Sequence, residues 1–542
     1  MVRKIDKYDL IIRNGTIYNG SGNPPFLGDI AVNNDRIAII GSVDQGSARL
    51  EVNGTNLAVA PGFINMLSWA TDSLIEDGRS CSDLMQGVTL EVFGEGWSMG
   101  PLNEPMKQEM VERQGDIKYD ISWTTLAEYL DFLETKGVSP NIASFIGATT
   151  VRIHTLGYED REPTPEEMDQ MKRLVNQAMQ EGALGVASAL IYPPAFYATT
   201  EELIELCKIA AKYDGLYISH LRSEGAQFLE ALDEFIAIVK ASNVRGEIYH
   251  FKAAGKNNWR KLDLAIQKID NARNSGLQIT TDCYTYTAAS TGLNTLIPPW
   301  AHEGGYKELI KRLKNPKKRK QIIEEILTPT NKWENLYLET GPERILLVSF
   351  KSEKLKPLTG KTLANIAEDY KKAPLETVMD LIIEDESRIG TVYFMMSEEN
   401  VRKKIQIPYM SFGSDGGSLA PEGNFLKSNP HPRSYGNVAR LLGKYSREEK
   451  IISLEDVIRK LTSLPADNLK IKNRGALKKG YYADIVVFDP LKIIDHATYE
   501  NPHQYASGMI HVFVNGVQVL KNGEHTNATP GRVVRGPGWK DD

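Results

Sequence analysis

Short apolar runs separated by turn signals fill the beginning of the chain and return near its C-terminus. The pattern predicts strands at residues 10–13, 16–18, 29–32, 36–40, 57–60, 483–488, 511–515 and 517–520. Asn-Gly pairs that begin at Asn14, Asn515 and Asn522, together with Gly- and Asn-rich stretches, are typical of the turns between strands. Two strand-rich ends around a long middle segment indicate one small β module built from both termini.

The middle of the chain alternates helical and strand-like segments. Thr164 and Glu167 form a capping box ahead of apolar residues at helical spacing, and Thr199 and Glu202 form a second box. Each helical segment is followed by a short apolar run, and the predicted strands lie at residues 185–189, 216–219, 247–249 and 278–281. At least six such units can be traced, which favours a closed parallel (β/α)8 TIM-like barrel of the α/β class over a shorter open sheet.

The change of pattern along the chain predicts the domain boundaries. We expect a first part of the β module at residues 1–60, the barrel at 61–470 and a second part of the module at 471–542. The helix–strand rhythm breaks at about 291–357, which we interpret as a lid inserted into the barrel. An irregular extension with no part in the chemistry is the alternative reading of that segment.

Composition and charge exclude several classes of protein. The chain of 542 residues has a formal net charge of -6, which argues against a nucleic-acid binder, and the basic run at 311–320 is interpreted as a solvated helix face. Three cysteines without CxxC spacing argue against a disulfide framework or a cysteine-rich zinc site. No apolar stretch is long enough to span a membrane, so no membrane partner is expected. The N-terminal sequence favours the cytoplasm and is also compatible with a trimmed signal peptide. No oligomeric state is predicted.

Two histidines stand where successive barrel strands should end. His220 and His250 are separated by one strand–helix period, and the carboxyl ends of barrel strands form the active-site mouth. A hydrolytic zinc site commonly has three protein ligands, and Glu95, between two glycines after the predicted strand 87–93, is a candidate for the third. Structural histidines and a solvated turn glutamate are the alternative interpretations.

Further polar residues follow other predicted strands. Asp415 lies in a glycine-flanked turn (SFGSDGG), where it suits a general base that takes a proton from a water activated by a metal, or alternatively a helix N-cap. Cationic and hydroxyl side chains near the same strand ends are candidates for binding a substrate carboxylate, although each alone could be a surface or packing residue: Arg222, Lys252, Tyr284, Tyr286 and Arg433.

A series of segments spread over nearly the whole chain resembles one known family. The segments are YDLIIRNGTIYNGSG, APGFI, SALIYPPAFYATTEEL, YISHLRSEG, DCYTYTAAST, GSDGG, HPRSYG, LTSLPADNLKIKNRGALKKGYYADIVVFDP and VFVNG. They resemble, in order, blocks of the N-acyl-D-amino-acid deacylases (D-aminoacylases) of the amidohydrolase superfamily. The resemblance implies a β-sandwich from both termini, a (β/α)8 barrel and a lid insertion after the sixth barrel strand.

The resemblance also assigns roles to individual residues. His220 and His250 match the metal histidines of the family, and Glu95 falls where the family has a cysteine or, in some members, a glutamate. Asp415 matches the catalytic aspartate. The remaining matches bind the substrate carboxylate and neighbouring atoms or line the pocket: Lys252, Tyr284, Ser290, Arg433 and Tyr192. One divalent metal, zinc, is expected per chain.

The chain departs from the superfamily pattern at one place. An HxH pair usually follows the first barrel strand, but here Leu67 and Trp69 occupy the two histidine positions. Neither side chain can bind a metal, so a second metal position should be absent, and Trp69 is expected to fill the vacated space.

The resemblance implies hydrolysis of a small-molecule N-acyl-D-amino acid to a D-amino acid and a carboxylate. In that reaction Asp415 acts as base and then acid. A cyclic-amide hydrolase related to hydantoinases and dihydroorotases is an alternative, although those enzymes generally use the HxH pair and a lysine-bridged pair of metals. A non-catalytic protein that retains the fold and binds amino-acid-like ligands is a third hypothesis.

Overall fold

The computed structural model describes residues 7–43 and 48–540. Five strands come first: β1 (Tyr8–Ile17), β2 (Phe26–Asn33), β3 (Arg36–Gly41), β4 (Ala48–Asn53) and β5 (Ala58–Pro61). The first two predicted strands are in fact the single strand β1. The expected turn at Asn14 is instead a bulge, because the pairing with β2 shifts register between Ile12 and Gly15 while Asn14 adopts a left-handed φ of 56°.

Parallel strands then form most of a barrel. They are β6 (Phe63–Asn65), β7 (Val88–Phe93), β8 (Asn141–Ser144), β9 (Ile146–Gly147), β10 (Gly185–Ala189), β11 (Leu216–His220), β12 (Arg245–Ile248) and β13 (Ile279–Cys283). β8 and β9 are consecutive pieces of one strand position, because β8 pairs with β7 and β9 pairs with β10. Apolar side chains of these strands, among them Leu90, Leu216 and Ile218, fill the interior as a packed core.

A separate lobe interrupts the barrel after β13, which is the seventh strand position because β8 and β9 share one. The expected insertion after the sixth barrel strand is therefore wrong by one position, since β13 pairs with β12 as a full member of the barrel. It contains the antiparallel strands β14 (Ala289–Gly292), β15 (Ile345–Ser349) and β16 (Gly390–Tyr393), in the order β14-β16-β15, and it has a hydrophobic core of its own. The chain then returns as β17 (Met410–Phe412), which pairs with β13. The Met66 amide donates to the Phe412 carbonyl at 3.1 Å, which closes a ring of eight strand positions among the described residues.

Strands from the C-terminal part complete the β module. They are β18 (Ile485–Phe488), β19 (Met509–Val514), β20 (Val517–Lys521) and β21 (Glu524–His525). β18 pairs antiparallel with β5, so strands from both terminal parts of the chain belong to one sheet. Among the described residues this sheet has nine strands. Ile12 and Ile30 of the first part share one buried cluster with Val487 and Phe513 of the second part, as a sandwich requires. The barrel and the two-part β module agree with the expected fold class, whereas the exact domain boundaries stay a prediction.

Helices surround the barrel and cover the inserted lobe. The α-helices are α1 (Thr71–Glu76), α2 (Cys81–Leu84), α3 (Glu104–Arg113), α4 (Leu126–Lys136), α5 (Ala148–Leu156), α6 (Pro165–Gln180), α7 (Thr200–Ala211), α8 (Phe228–Ser242), α9 (Lys261–Asn274), α10 (Tyr306–Lys314), α11 (Pro316–Leu327), α12 (Leu336–Thr340), α13 (Leu363–Tyr370), α14 (Pro374–Asp385), α15 (Glu398–Ile405), α16 (Arg433–Arg440), α17 (Leu454–Leu461) and α18 (Ser463–Asn468). A π-helix covers Leu441–Glu448, and short 3₁₀ turns include Ala195–Tyr197 and Pro299–His302. No helix within residues 7–43 and 48–540 is long and apolar enough to cross a bilayer; the cytoplasmic location stays a prediction.

The two expected capping boxes have different outcomes. Thr164 and Glu167 form both hydrogen bonds of a box at the start of α6. Thr199 accepts from the Glu202 amide at 3.1 Å, but the second box does not close. The reason is that the Glu202 carboxylate forms a buried ion pair with Arg152 of α5, which satisfies both charges inside the protein.

Candidate metal centre

The candidate site lies at the carboxyl ends of the barrel strands. His220 is the last residue of β11, while Glu95, His250 and Asp415 follow β7, β12 and β17 within three residues. His250 and Asp415 adopt left-handed φ angles of 33° and 51°. Backbone conformations of this kind are unfavourable for residues other than glycine, and proteins concentrate them at functional sites.

Three potential metal ligands meet at one point. Glu95 Oε1 lies 3.0 Å from His220 Nδ1 and 2.8 Å from His250 Nε2. The ligand atoms of the three residues all lie within 4.8 Å of one another, and all three side chains are buried. Each residue comes from a different barrel strand, which explains why only the closed barrel brings them together.

Electrostatics favour an ionised Glu95. Its burial opposes ionisation, but the adjacent His250 and His220 outweigh that effect and hold the pKa of Glu95 well below its usual value. Burial and Lys252 lower the pKa of His250, whereas Glu224 and Glu95 outweigh them and raise it to about 10. In the absence of a metal, an imidazolium proton therefore neutralises the charge of Glu95.

The donor set fits one divalent metal ion. Two imidazole nitrogens and a carboxylate oxygen are ligands typical of zinc, and three protein ligands leave a position for water and substrate, as in hydrolytic zinc sites. A metal would take the place of the imidazolium proton, because a ligating histidine is neutral. His220 Nε2 is buried without a hydrogen-bond partner, which is unusual for a buried polar atom.

A glutamate that the sequence analysis did not single out lies behind the two histidines. Glu224 Oε1 lies 3.0 Å from His250 Nδ1 and accepts from Lys252 Nζ at 2.6 Å, while Glu224 Oε2 lies 3.5 Å from His220 Nε2. Burial opposes ionisation of Glu224, but Lys252 and the two histidines hold its pKa far below the usual range. A carboxylate on the outer nitrogen of a ligating histidine fixes the orientation of the ring. Glu224 lies four residues after His220, but the chain between β11 and α8 is an irregular loop, so that spacing alone did not predict the contact.

Asp415 is held beside this centre by two side chains. Trp69 Nε1 lies 3.1 Å from Asp415 Oδ1 and 3.0 Å from Glu95 Oε2, so the indole N–H is shared between the two carboxylates. Arg433 Nη1 lies 2.8 Å from Asp415 Oδ2. Burial raises the pKa of Asp415 above its ordinary value; Arg433 opposes the rise and Glu95 adds to it.

Two cations flank one aromatic ring next to Asp415. Arg433 lies 4.6 Å from the centre of the Tyr284 ring, and Lys252 Nζ lies 5.7 Å from it. All three side chains are buried. Each buried cation is paired with a carboxylate, Lys252 with Glu224 and Arg433 with Asp415, which offsets the cost of burying the charges.

Ser290 and Tyr192 lie at the edge of the same region. Ser290 belongs to β14 of the inserted lobe, and its carbonyl accepts a long hydrogen bond of 3.4 Å from Arg433 Nη2. The Tyr192 ring packs edge-on against His220 with 5.2 Å between centroids. The structure therefore brings together all nine candidate site residues, while their individual roles remain predictions.

Two residues considered from sequence lie outside this cluster. Arg222 forms an ion pair with Glu234 at 2.8 Å and donates to two carbonyl groups, which makes it a structural residue of the loop. Tyr286 donates to Asp495 at 3.2 Å, and its ring contacts Arg440 instead of the candidate metal ligands. Position at a strand end therefore did not suffice to predict a contact with the centre.

Comparisons with known proteins identify the family of this chain. The family model described as "Amidohydrolase family" matches residues 358–520. The chain is 31% identical to the D-aminoacylase of Alcaligenes xylosoxydans xylosoxydans over 97% of both chains. It is 29% identical to the N-acyl-D-aspartate deacylase of the same organism, over 97% of this chain and 95% of that one.

Solved structures extend the comparison. The N-acyl-D-glutamate deacylase of Bordetella bronchiseptica, in complex with zinc and a phosphonate mimic of the tetrahedral intermediate, superimposes with a TM-score of 0.80 at 27% identity, covering 98% of this chain and all (100%) of that one. A D-aminoacylase with a binuclear metal centre, described by one-metal activation and second-metal attenuation, also has a TM-score of 0.80, at 29% identity over 97% of this chain and 100% of that one. An L-hydantoinase from Arthrobacter aurescens has a TM-score of 0.56 at 13% identity over 97% of this chain and 100% of that one, and shares the fold alone. The chain belongs to the D-aminoacylase (N-acyl-D-amino-acid deacylase) family of amidohydrolases.

Proposed function

We propose that this chain hydrolyses the amide bond of N-acyl-D-amino acids and uses one divalent metal ion, zinc. The observation that carries the proposal is the meeting of Glu95 Oε1, His220 Nδ1 and His250 Nε2 at one point, with Asp415 connected to Glu95 through Trp69. The relatives support the substrate class, because proteins similar over nearly the whole chain act on N-acyl-D-amino acids. The likeness to a zinc-containing deacylase supports the choice of metal.

Glu95, His220 and His250 would hold the metal. When bound, a divalent cation supplies Lewis-acid chemistry, which polarises the amide carbonyl and lowers the pKa of the attacking water towards about 7. Glu224 would fix the orientation of the two imidazole rings through their outer nitrogens, which lie 3.0 Å and 3.5 Å from its oxygens.

Asp415 would move the proton. Its Oδ1 faces Glu95 across the shared indole N–H, which places that oxygen on the metal side of the carboxylate. The raised pKa of Asp415 suits a base that accepts a proton from water and then returns it to the departing amine nitrogen. Cleavage of the C–N bond then yields a carboxylic acid and a neutral amine. Transfer of the acid proton to the amine gives a carboxylate and an ammonium group, so atoms and charge balance.

Arg433, Lys252 and the Tyr284 hydroxyl would bind the α-carboxylate of the substrate. The two cations flank the Tyr284 ring, so a carboxylate that enters between them is met by charge and by a hydroxyl donor. With the carboxylate fixed there and the acyl carbonyl at the metal, the enantiomer determines where the side chain points. The preference for D substrates is inferred from the relatives.

The cyclic-amide alternative gains no support from the site. Hydantoinases share only the fold with this chain, at 13% identity, and the HxH positions are the non-ligating Leu67 and Trp69. The described residues contain one potential metal group, formed by Glu95, His220 and His250. We therefore keep a linear amide as the proposed substrate.

The proposal is tested by removing and restoring the metal. Protein freed of metal with a chelator should not hydrolyse N-acetyl-D-amino acids, and zinc should restore turnover. His220→Ala should lose both metal and turnover, whereas His496→Ala, which changes an exposed histidine that contacts Ser507, should keep both. Full turnover by metal-free protein, or by His220→Ala, would overturn the proposal.

A further inference from the structure

Trp69 lies between two acidic side chains, a place where proteins usually have a cation. Its indole N–H is shared by Glu95 Oε2 at 3.0 Å and Asp415 Oδ1 at 3.1 Å. Two buried carboxylates close together repel each other, and proteins usually relieve that repulsion with a metal ion, a proton or a basic side chain. Here a neutral donor lies between them.

We propose that the indole N–H of Trp69 takes the place of a second metal ion, so that the centre holds a single metal and excess metal does not inhibit the enzyme. The inference rests on the proposed one-metal hydrolase function and adds a positioning role for Trp69. A D-aminoacylase relative with a binuclear metal centre is described as attenuated by its second metal. This chain should lack attenuation by a second metal.

The three residues of the candidate metal centre form the one group of potential metal ligands among the residues that the structure describes, and Asp415 is not part of it. An indole nitrogen is a hydrogen-bond donor without an available lone pair, and Leu67 is fully buried in the apolar interior of the barrel. Asp415 Oδ2 is paired with Arg433 Nη1 at 2.8 Å. A second ion would therefore have to bind Glu95 and Asp415 through oxygens that already accept the indole hydrogen, and it would find no imidazole there.

The backbone holds the indole in place. The Asp415 amide donates to the Leu67 carbonyl at 2.8 Å, and the Trp69 amide donates to the Gly416 carbonyl at 2.9 Å. These two hydrogen bonds join the segment after β6 to the segment after β17, so Trp69 and Asp415 are fixed relative to each other before substrate or metal binds. The ring also packs against the interior cluster of the barrel. Preorganisation of this kind avoids an ordering cost during the reaction.

The contact also sets the geometry of the first metal. Because Glu95 Oε2 accepts the indole hydrogen, Oε1 is the oxygen that remains directed at His220 and His250. Trp69 thus favours a Glu95 that binds through one oxygen. The hydrogen bond does not dissociate into solvent as an ion does, so its occupancy is independent of metal concentration, whereas binding of a second ion follows mass action.

The test combines a metal-binding isotherm with kinetics. Metal-free wild type titrated with Zn²⁺ should bind one ion per chain in calorimetry and elemental analysis, and turnover should reach a plateau that persists in excess Zn²⁺. Binding of two ions per chain to wild type, or loss of turnover in excess Zn²⁺, would overturn the inference. Binding of no ion would instead overturn the proposed function, so the two failures are distinguishable.

Two variants complete the test. Leu67→His/Trp69→His restores HxH and should bind a second ion and lose turnover in excess Zn²⁺; circular dichroism checks its fold. Trp69→Phe keeps an aromatic ring without the N–H and should retain one ion while kcat falls about 10- to 100-fold, as for loss of a hydrogen bond to a charged group. Trp300→Phe removes an indole N–H that donates to Glu325 at 2.8 Å in the inserted lobe, and it should leave kcat unchanged. A Trp69→Phe protein with wild-type kcat would overturn the positioning role whether or not the double variant folds.

Discussion

Trp69 Nε1 lies 3.1 Å from Asp415 Oδ1, and the main chains of the two segments are hydrogen-bonded to each other. The candidate base is therefore positioned by the residue that stands where the superfamily usually has a metal-binding histidine. Contacts within the protein, and not a second metal ion, therefore orient the Asp415 carboxylate.

Replacement of the base should abolish catalysis and spare metal binding. Asp415→Asn keeps the size of the side chain and removes its ability to accept a proton, so kcat should fall about 10²- to 10⁴-fold. Metal content should remain that of wild type, because the three ligand atoms belong to other residues. Asp233→Asn, which changes an exposed partner of Lys268, is the matched control and should keep wild-type kcat. An Asp415→Asn protein with wild-type kcat would exclude Asp415 as the base.

Glu224 should control metal affinity without binding the metal. Glu224→Gln removes the charge that faces the outer nitrogens of His220 and His250, and the metal dissociation constant should rise about 10- to 100-fold. The measurement is a competition titration with a chelator of known affinity. Glu234→Gln, which changes the carboxylate paired with Arg222, is the control. Unchanged affinity in Glu224→Gln would mean that the histidines are oriented by other contacts.

Arg433 should contribute mainly to substrate binding. Arg433→Lys keeps the positive charge and loses the planar set of donors, so KM for an N-acetyl-D-amino acid should rise about 10-fold or more. The corresponding substrate amide, which lacks the α-carboxylate, should be a poor substrate of wild type and should respond little to the substitution. Arg402→Lys changes a partly exposed arginine that contacts Glu449 and serves as control. Equal KM effects on acid and amide substrates would contradict a direct contact with the carboxylate.

Lys460 should make stability depend on pH at alkaline values. Burial lowers the pKa of Lys460 from 10.5 to about 8, although its Nζ donates to the carbonyls of Ile405 and Ile407 at 2.7 Å. Between these two pKa values the unfolded chain binds more protons at this residue than the folded chain does, so its contribution to the free energy of unfolding increases as pH rises from about 8 to 10.5.

Urea denaturation at several pH values checks this prediction. The unfolding free energy of wild type minus that of Lys460→Gln should increase between pH 7 and pH 10, values on either side of a folded-state pKa of about 8. Lys403→Gln removes a partly exposed lysine from the same region and should give a difference that is nearly flat with pH. A flat difference for Lys460→Gln would mean that the folded state does not lower the pKa of this lysine.

Much of the barrel could be predicted from the sequence, because strand and helix signals alternate locally. The predicted helix from Thr200 and the strand from Leu216 match α7 and β11 closely. His220 and His250 were identifiable because one strand–helix period separates them and the barrel geometry is regular. The role of Glu95 depended on the resemblance, since a glutamate between glycines is by itself also typical of a solvated turn.

The missed features depend on contacts between distant segments. β15 and β16 of the inserted lobe were not expected. The two strands are far apart in the sequence, so no short hairpin turn between them signals that they pair. Glu224 reaches the histidines through an irregular loop. The shared hydrogen bond of Trp69 requires the relative positions of β6, β7 and β17, which only the closed barrel sets.

Chiral analysis of the products from a racemic substrate shows whether this chain is a metal-dependent hydrolase of N-acyl-D-amino acids. The zinc-loaded protein is incubated with an N-acetyl-DL-amino acid, and the released amino acid is resolved by chiral chromatography. We expect release of the free D-amino acid with the N-acetyl-L form left intact, and no release after chelation. Release of the L-amino acid alone, or hydrolysis that persists after the metal is removed, would contradict this expectation.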